Sequence, residues 1–575
     1  MRRIGLACVL AAGLATFGCG SAERADLLLV GGRVYTFTWP EPDRDGRPAS
    51  SAPHDASGWR PDAQAIAVRG DRIVFVGQRV DGEAYRGPST RVIDLKGATV
   101  LPGLIDSHVH LPELGASLER VNLVGVKTEA EAVARVEERA RTTPKGEWIV
   151  GWGWDEGAWA NKYPDMRLLG ERVPDHPVIL RGLHTFAVWG NRLAFERAKI
   201  TATTTAPVGG EIRKDGRGQP TGILLNNAGA LLTNAMPAAT PAQLAARVVK
   251  ALDTLAAAGY VSAHEAGADA ALLATLEELN AKGQLAIPVY TMLAARDPKV
   301  MSTWASRKPV TGPSNLVIRS VKAFYDGAMG SRGALFSEDY SDRPGHRGTG
   351  GKDYGFDRDR MAAMMRAGFQ VVIHAIGDRA NREALDFFQE IMAASPDAKQ
   401  SRPRIEHAQI VSPADVPRFA ALGVIASMQP SHAVEDMPWA EARIGPERIK
   451  GAYAWRSLRR AGARMTFNSD LPATDYNIFY GLHSAVTRTD KEHQPSGGWR
   501  SEEALTIEEA LRGWTSWAAF SEFREHDTGT LVGSRRADIT VVDIDPLQMA
   551  EKDPHKLLDG KVVLTIAAGK IVFQK

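Results

Sequence analysis

His108 and His110 stand two positions apart at the end of an apolar run, Leu101–His110, which reads LPGLIDSHVH. Side chains alternate between the two faces of a strand, so both imidazoles would point to the same side. Two imidazoles at the end of a buried strand can hold one divalent metal ion from one edge. An isolated pair of this kind is about equally well explained by ordinary core or surface histidines. The interpretation therefore depends on whether similar side chains end other strands.

Four later apolar segments carry side chains of this kind at or near their ends. Lys322 lies in LVIRSVKAFYDG, His374 in QVVIHAIGD, His407 in RPRIEHAQ and Asp470 in RMTFNSDLP. Each has an ordinary explanation as well: a buried lysine can pair with an acid, a histidine can bond to the backbone, and Ser-Asp can cap a helix. The whole set, in this order along the chain, favours a metal centre built at strand ends.

The segments that carry these residues predict an α/β fold, a (β/α)8 TIM barrel over residues 99–527. Amphipathic stretches such as DAALLATLEELNAKG and DRDRMAAMMRAG lie between several of the apolar segments. The eight candidate strands are Thr99–Asp106, Tyr260–Glu265, Ile287–Met292, Val317–Tyr325, Gln370–Ile376, Arg404–His407, Val424–Met428 and Arg464–Ser469. In such a barrel the C-terminal strand ends meet at one mouth, where catalytic residues lie.

Short β signals occur at both ends of the chain. ADLLLVGGRVYTF, AIAVRGDRIVFVG and RVIDLKGATV come early, and ADITVVDID and VVLTIAAGKIVFQK come late. We expect residues 25–98 and 528–575 to build one composite β-sandwich domain. Pro40–Pro61, which is rich in Pro, Ser, Asp and Gly, is expected to be a surface loop.

The strand count requires most of Leu111–Gly259 to be an excursion between the first and second barrel strands. Its aromatic, turn-rich part predicts an inserted, lid-like subdomain over residues 145–240. In a barrel enzyme such an insertion would sit over the C-terminal mouth, where substrates enter.

Composition restricts the class of protein. The 575 residues carry 70 basic and 68 acidic side chains, a net charge of +2, and 44% of them are hydrophobic. This is the composition of a globular protein, and it gives no indication of a nucleic-acid partner. Both cysteines, Cys8 and Cys19, lie within the first twenty residues, so the body of the chain offers no disulfide and no cysteine ligand.

Residues 1–19 predict a signal peptide. A basic start, MRR, precedes the apolar segment Ile4–Phe17, which is too short for a comfortable membrane span. Gly18 before Cys19 resembles the cleavage site of a bacterial lipoprotein signal, although Thr16 and Phe17 depart from the usual aliphatic residue followed by a small one. We expect an exported protein of the periplasm or cell envelope, attached to a membrane only through a lipid on Cys19.

The order of the motifs resembles the amidohydrolase superfamily, and their wording resembles its family 3, which includes N-substituted formamide deformylases. The motifs are DSHVH, SVKAFYDG, HAIGD, IEHAQ and NSD, joined by GWGWDE, SAHEAG, DGAMGSRGAL and the tail ADITVVDIDP. The resemblance covers nearly all of the chain after the first 25 residues or so. It implies a (β/α)8 barrel flanked by a composite β-sandwich, with one or two divalent metal ions at the mouth.

Carried over by position, the resemblance implies that His108 and His110 hold the more buried metal ion. Asp470 would complete that site and act as the catalytic base and acid. Zinc is the expected metal for mixed histidine and carboxylate ligands, while manganese, iron and cobalt suit similar ligand sets. One departure is Gly333, in GSRGA where many relatives read GSRTA, which puts a hydroxyl contact near the site in doubt.

The resemblance also implies a second metal ion, held by His374 and His407. Lys322, carboxylated on its side-chain nitrogen by carbon dioxide, would bridge the two ions. An unmodified ammonium group only donates hydrogen bonds and cannot bind a cation, whereas a carbamate is an anion. Burial would lower the pKa of the lysine and leave the free amine that this modification needs.

Four residues are candidate substrate contacts. Arg332, in a glycine-rich loop, could bind a carboxylate or could be an ordinary surface arginine. His264 ends the second strand and could lie beside the metals or simply pack there. His184 and Trp154 lie in the excursion and could line the pocket, although tryptophans more often belong to a core.

These inferences predict a metal-dependent hydrolase that cleaves a carbon–nitrogen bond of a small amide-type substrate through a metal-activated hydroxide. N-acyl, N-formyl and cyclic amides are candidates, and the same hydroxide would also attack a lactone or another ester. The alternative is an exported lipoprotein of the same fold that binds a ligand without turnover. The complete ligand set favours the enzyme.

Overall fold

Eight parallel strands form the central sheet of the protein. The structure is a computed structural model, and it describes residues 24–155, 159, 163–183 and 186–575. Each strand pairs with its neighbours in chain order. The strands are β1 (Leu104–Val109), β2 (Tyr260–Ala268), β3 (Val289–Ala294), β4 (Leu316–Phe324), β5 (Gln370–Ala375), β6 (Arg404–His407), β7 (Ile425–Met428) and β8 (Arg464–Phe467).

The sheet is nearly closed between β8 and β1. Val109 forms a parallel bridge with Leu471, and the Ser107 hydroxyl donates to the Phe467 carbonyl at 2.8 Å. The prediction of an α/β barrel is confirmed in this form, as a nearly closed barrel of eight parallel strands. Closure brings the ends of the first and last strands together although they are far apart in the chain.

Helices connect the strands and share one apolar core with them. The helix Pro241–Ala257 shows how they begin: the Gln243 amide donates to the Thr240 hydroxyl, and the Gln243 side chain accepts from the Thr240 amide. The other helices around the barrel are Leu111–Glu119, Ala270–Ala281, Pro298–Trp304, Arg358–Arg366, Asp378–Ala394, Val416–Leu422, Pro430–Arg448, Trp455–Arg460, Ile478–Thr487, Ile507–Trp514 and Ser516–Ser521.

The first predicted barrel strand, Thr99–Asp106, is wrong as a single element. Thr99–Pro102 pairs with Ile539–Val542 in an outer sheet, and the barrel strand begins only at Leu104. Gly103 separates the two strands at a point where the chain passes close to its neighbours. A Cβ atom there would lie 2.4 Å from a methyl group of the Val261 side chain, which excludes a larger residue.

Two further sheets come from the two ends of the described chain, and their side chains share one apolar cluster. The four-stranded sheet consists, in spatial order, of Arg72–Gly77, Ala65–Arg69, Leu27–Val30 and Arg91–Asp94. The five-stranded sheet consists of Arg33–Val34, Thr99–Pro102, Ile539–Val542, Val562–Ala567 and Lys570–Gln574. Strands from both ends of the chain therefore pair within one sheet.

A six-stranded sheet lies between β1 and β2 in the sequence. In spatial order its strands are Val121–Asn122, Ile149–Trp154, Val178–Gly182, Ala187–Gly190, Pro220–Asn226 and Gly210–Lys214. The insertion thus begins near Val121, earlier than the predicted residue 145. Val121–Asn122 pairs in parallel with Ile149–Trp154, and the helix Glu129–Ala140 forms the crossover between them.

Among the described residues, none of the helices has both the length and the apolar character that crossing a membrane would require. The predicted signal segment 1–19, with Cys19, lies outside the described residues.

Candidate metal centre

A cavity of about 370 Å³ opens at the carboxyl ends of the barrel strands. This is a suitable size for a small organic substrate. All six side chains that the sequence predicted as metal ligands line it: His108, His110, Lys322, His374, His407 and Asp470. The barrel therefore gathers them in one place, and their role as ligands stays a prediction.

His108, His110 and Asp470 form the tightest group. Asp470 Oδ1 lies 3.3 Å from His108 Nε2 and 3.4 Å from His110 Nε2. The ligand atoms that the three side chains offer all lie within 4.8 Å of one another. Burial alone would raise the pKa of Asp470, but the surrounding histidines hold it well below its usual range. The carboxylate is therefore ionised and faces two imidazole nitrogens, which is the donor set that a divalent ion requires.

The orientation of His108 is fixed from behind by a buried acid. Its Nδ1 lies 2.5 Å from Glu406 Oε2, and the other oxygen of Glu406 accepts from Arg404 Nε at 2.9 Å. Both Arg404 and Glu406 are completely buried. Because Glu406 engages Nδ1, the other nitrogen, Nε2, faces the cavity with its lone pair available. Burial lowers the pKa of His108 to about 4, so this imidazole is neutral.

The backbone of Asp470 holds its side chain at the barrel closure. Its φ of 52° lies in the left-handed region, which is uncommon for a residue with a side chain. The Asp470 amide donates to the His108 carbonyl at 3.0 Å. Next to it, the Ser469 hydroxyl donates to Asp106 at 2.6 Å. The strained residue is thus tied to β1 from two sides.

Lys322, on β4, is buried among these groups. Its Nζ lies 3.2 Å from His108 Nε2, and the residue is only 1% exposed. Burial lowers the pKa of Lys322 to about 8, although the charges of Glu406 and Asp470 oppose that shift. The neutral amine is therefore accessible near neutral pH, as the predicted carboxylation requires.

His374 and His407 approach each other on the far side of the cavity. Their ring centroids are 4.4 Å apart. Gln429 Oε1 lies 3.0 Å from His407 Nδ1, so His407 can offer its other nitrogen to the cavity. His374 Nε2 is buried, and among the described residues it has no hydrogen-bond partner. Burial lowers the pKa of both rings, to about 3 for His407, so both are neutral.

His432 is a candidate ligand that the sequence analysis missed. It lies in the helix Pro430–Arg448, and its Nε2 is 3.8 Å from Asp470 Oδ2. His407, His432 and Asp470 form a second group whose ligand atoms lie within 4.8 Å of one another. The sequence did contain a signal for this residue. The segment MQPSH ends β7 and continues to His432, and the sequence analysis had assigned no ligand to that strand.

Two of the predicted substrate contacts do not line the cavity. Arg332 pairs with Asp342 through two hydrogen bonds, of 3.1 and 2.8 Å. His264 is completely buried, with Nδ1 3.1 Å from Arg404 and Nε2 3.2 Å from Glu522. Both ring nitrogens of His264 are therefore engaged inside the barrel wall, in the packed position that the sequence left open as the alternative.

The other two predicted substrate contacts, Trp154 and His184, belong to the insertion. Trp154 is completely buried in the core of the insertion, and its indole N–H donates to the Leu180 carbonyl at 3.0 Å. Trp154 is therefore not among the residues that line the cavity. His184 lies outside the described residues. None of the described residues of the insertion lines the cavity, and a lid-like role of the insertion stays a prediction.

The residues present fit a divalent metal ion. Three neutral imidazoles, one ionised carboxylate and a lysine with a lowered pKa face one cavity. Among the described residues, His374 Nε2 has no hydrogen-bond partner, and the nearest carboxylate oxygen given for it, Asp326 Oδ1, is 3.7 Å away. Buried histidine nitrogens without hydrogen-bond partners are rare unless a ligand or ion completes them. Imidazole and carboxylate together suit zinc and related first-row metals.

Sequence comparison agrees with the site. A model of the amidohydrolase family matches residues 91–573. The protein LONG AFTER FAR-RED 3 of Arabidopsis thaliana is 30% identical over 96% of this chain and 92% of its own length. The N-substituted formamide deformylase of Arthrobacter pascens is 26% identical over 89% of this chain and 95% of its own length.

Structural comparison gives the same assignment. The crystal structure of an uncharacterized metal-dependent hydrolase from Pyrococcus furiosus superimposes with a TM-score of 0.71. It is 27% identical in sequence and covers 91% of this chain and 99% of its own. The predicted resemblance is therefore confirmed over most of the chain.

Proposed function

The chain belongs to the amidohydrolase family, and from that premise we propose that it is a metal-dependent hydrolase of amide-type carbon–nitrogen bonds in small molecules. N-acyl and N-formyl amines are the proposed substrates. The observation that carries the proposal is the convergence of His108, His110 and Asp470 on one point of the cavity, with Lys322 beside them. The deformylase relative supports this substrate class, since its name specifies an N-substituted formamide.

The side chains at the centre divide into proposed ligands for two metal ions. His108, His110 and Asp470 would bind one ion, and His407 would bind a second together with His374 or His432. Zinc is the proposed metal for both positions. Bound divalent ions would supply Lewis acidity, which brings the pKa of a water molecule towards about 7 and polarises a carbonyl group.

Lys322 would serve as the bridge between the two positions in its N6-carboxylated form. The neutral amine nitrogen adds to the carbon of carbon dioxide and loses a proton, which gives a carbamate with two oxygen donors. The lowered pKa of about 8 supports this step, because the free amine is populated near neutral pH.

Asp470 is the proposed proton carrier. Its carboxylate lines the cavity and is ionised, so it can accept a proton from the attacking water. The same carboxyl group would then donate that proton to the departing nitrogen. Arg404 and Glu406 do not touch the substrate; they keep Nε2 of His108 directed at the cavity.

The remaining cavity walls suggest how a substrate is held. Phe324, Met329 and Trp439 supply an apolar side suited to a hydrocarbon or aromatic N-substituent. Asp436 and Gln409 supply a polar side, and Asp436 accepts from Gln409 Nε2 at 2.8 Å and from the Tyr453 hydroxyl. Burial raises the pKa of Asp436. A compound with one apolar group on nitrogen and a small acyl group fits this division.

The metal count tests the proposal directly. We expect mass spectrometry to find fewer ions in Lys322→Ala than in the wild-type protein, because the barrel centre of the wild type should hold about two. Lys450→Ala, at a surface position, is the matched control and should retain the wild-type count.

Hydrolysis of N-acyl and N-formyl amines should depend on these ions and should be absent for the metal-free protein. An ester or lactone hydrolysed at a far higher rate would redirect the substrate assignment, and a metal-loaded protein without turnover would favour the binding-protein alternative.

We also propose export, with a lipid on Cys19 as the membrane attachment. The support is the sequence of residues 1–19 alone. Expression of the full chain in a bacterium should place it in the membrane fraction, and Cys19→Ala should release it. A wild-type chain that stays in the cytoplasm would contradict this proposal without affecting the proposed activity.

A further inference from the structure

A second group of histidines lies outside the barrel cavity. His483 belongs to the helix Ile478–Thr487, His493 to the loop after it, and His555 to the 3-10 helix Pro554–Asp559 near the C-terminus. None of the three lines the cavity of the metal centre. Three separate segments of the chain therefore bring imidazoles together at a place that the proposed hydrolase activity does not use.

The three rings are close enough to share one ion. His483 Nε2 lies 3.2 Å from His555 Nδ1, and the rings of His493 and His555 stack with centroids 4.2 Å apart. The ligand atoms of the three side chains all lie within 4.8 Å of one another. In a tetrahedral zinc site with bonds of 2.0–2.1 Å, donor atoms lie about 3.3 Å apart. One pair already meets that separation, and the third ring needs a shift of the order of 1 Å.

The loop that carries His493 has a defined shape. The Asp490 side chain accepts the amides of Glu492 and Gln494, at 2.9 and 2.8 Å. His493 itself has a φ of 63°, in the left-handed region where residues with side chains are uncommon. The loop therefore directs an exposed imidazole back towards a buried one at the cost of backbone strain, a combination that often marks a functional position.

The charges around the group suit neutral imidazole ligands. His483 is completely buried, and burial together with the neighbouring His555 and His493 lowers its pKa to about 4. The charge of Asp490 opposes that shift in pKa but does not outweigh the burial. Protonated rings would repel one another here, whereas neutral rings present lone pairs to a cation.

The tautomer of His483 is not fixed by a partner at Nδ1. Its Nδ1 is buried without a hydrogen-bond partner among the described residues, so neither tautomer satisfies that atom. No hydrogen bond at Nδ1 therefore fixes the proton on Nε2, the nitrogen that faces His555 and the Thr489 hydroxyl at 3.4 Å. Such an arrangement leaves Nε2 free to act as a ligand.

We propose that His483, His493 and His555 form a second, peripheral metal site. It would take a divalent transition-metal ion of the kind that imidazole binds well, such as Zn²⁺, Ni²⁺ or Cu²⁺. Three protein ligands leave a fourth position, which opens to solvent at the exposed His493. The site does not depend on the proposed hydrolase activity.

The test compares His493→Ala with the wild-type protein after equilibrium dialysis against Zn²⁺. His493 is exposed, so its replacement should leave the fold and the hydrolase activity unchanged. We expect the variant to bind one ion fewer per chain than the wild type. His526→Ala is the matched control, because His526 is a surface histidine with a 94% exposed side chain, and it should bind as many ions as the wild type.

Thermal unfolding gives a second measurement that does not depend on activity. Added Zn²⁺ should raise the Tm of the wild type and of Asp470→Asn, whose peripheral site is intact, because an ion that binds only the folded state stabilises it. The increase should be smaller in His493→Ala and in His555→Asn. Equal ion counts in His493→Ala and the wild type would overturn the proposal. Loss of ions from Asp470→Asn alone would instead concern the barrel centre.

Discussion

At the mouth of the barrel, Trp439 and His432 line an open cavity, whereas in the insertion Trp154 and Trp189 are buried against each other. Both regions contain the aromatic and polar side chains expected of a substrate pocket, and the aromatic sequence of the insertion carries the stronger signal. In the insertion these side chains close a small core of its own around a six-stranded sheet. Residue type therefore indicated an aromatic pocket only in the insertion, and the packing placed the aromatic cavity wall at the barrel mouth instead.

The polar groups of the two regions differ in the same way. The buried charges under the barrel mouth form a chain from Arg404 through Glu406 to His108, which ends at the cavity. In the insertion, the buried Asn191 side chain is used to hold backbone groups at Val178 and Val173. Buried polar groups of the barrel thus orient a side chain that lines the cavity, whereas the buried Asn191 of the insertion bonds to the backbone and stabilises the fold.

The largest effect should come from Asp470→Asn at the barrel mouth. The amide keeps the shape of the side chain but can no longer carry a proton or a negative charge. We expect kcat/KM to fall by about 10²–10⁴-fold, in line with the loss of a general acid–base group, together with part of the bound metal. Steady-state kinetics and metal analysis would measure both changes. Asp475→Asn, at a partly exposed carboxylate, is the control. Wild-type activity in Asp470→Asn would contradict the proposed role of Asp470 as proton carrier.

A smaller effect should follow Glu406→Gln beneath the same site. The amide weakens the hydrogen bond that orients His108 and leaves Arg404 without its buried carboxylate. Metal affinity should fall by about 10–100-fold, as expected when the partner behind a ligating histidine is changed. Competition with a chelator would measure it at a temperature where both proteins are folded. Unchanged affinity would show that the chain behind His108 is only structural.

Trp439→Ala tests whether the barrel's own aromatic wall holds the substrate. We expect KM to rise by about 10-fold for N-acyl amines with an apolar N-substituent, which corresponds to about 1.4 kcal/mol of lost binding. The value of kcat should change little, and a substrate with a small N-substituent should be unaffected. Trp439→Phe should recover most of the affinity. If Trp439→Ala changes KM equally for both kinds of substrate, the N-substituent does not bind against Trp439.

The smallest kinetic effect should come from Trp154→Phe in the insertion. The replacement loses core contacts and the hydrogen bond to Leu180, so we expect the insertion to lose about 1–3 kcal/mol of stability. Because Trp154 does not line the cavity, kcat/KM should stay within about twofold of the wild type in folded protein. Thermal unfolding and kinetics below the transition would separate the two effects. A large fall in kcat/KM at unchanged Tm would restore a substrate role for this tryptophan.

The sequence predicted the barrel well because its strands are short apolar runs between amphipathic helices. Seven of the eight predicted strands each overlap one barrel strand. The remaining one, Thr99–Asp106, is divided at Gly103 into a strand of an outer sheet and a barrel strand. That division could not be read from the sequence, because ATVLPGLI is apolar throughout and both of its halves are buried in different sheets. The start of the insertion was missed because Val121–Asn122 is a two-residue strand with no periodicity to detect.

The side chains at the ends of the barrel strands could be identified from local patterns in the chain. His108 and His110 share a face because of their spacing, and a parallel barrel places all strand ends of one polarity at one mouth. The family followed from the order of the same motifs, and the match over residues 91–573 agrees with it.

The other members of the site depend on long-range packing. His432 enters from a helix, Glu406 acts from behind His108, and Trp154 is withdrawn into a separate core. The trio of His483, His493 and His555 is assembled from segments that have no common spacing in the chain. The physical reason is that strand alternation and barrel geometry fix positions locally, whereas contacts between distant segments depend on how whole elements pack.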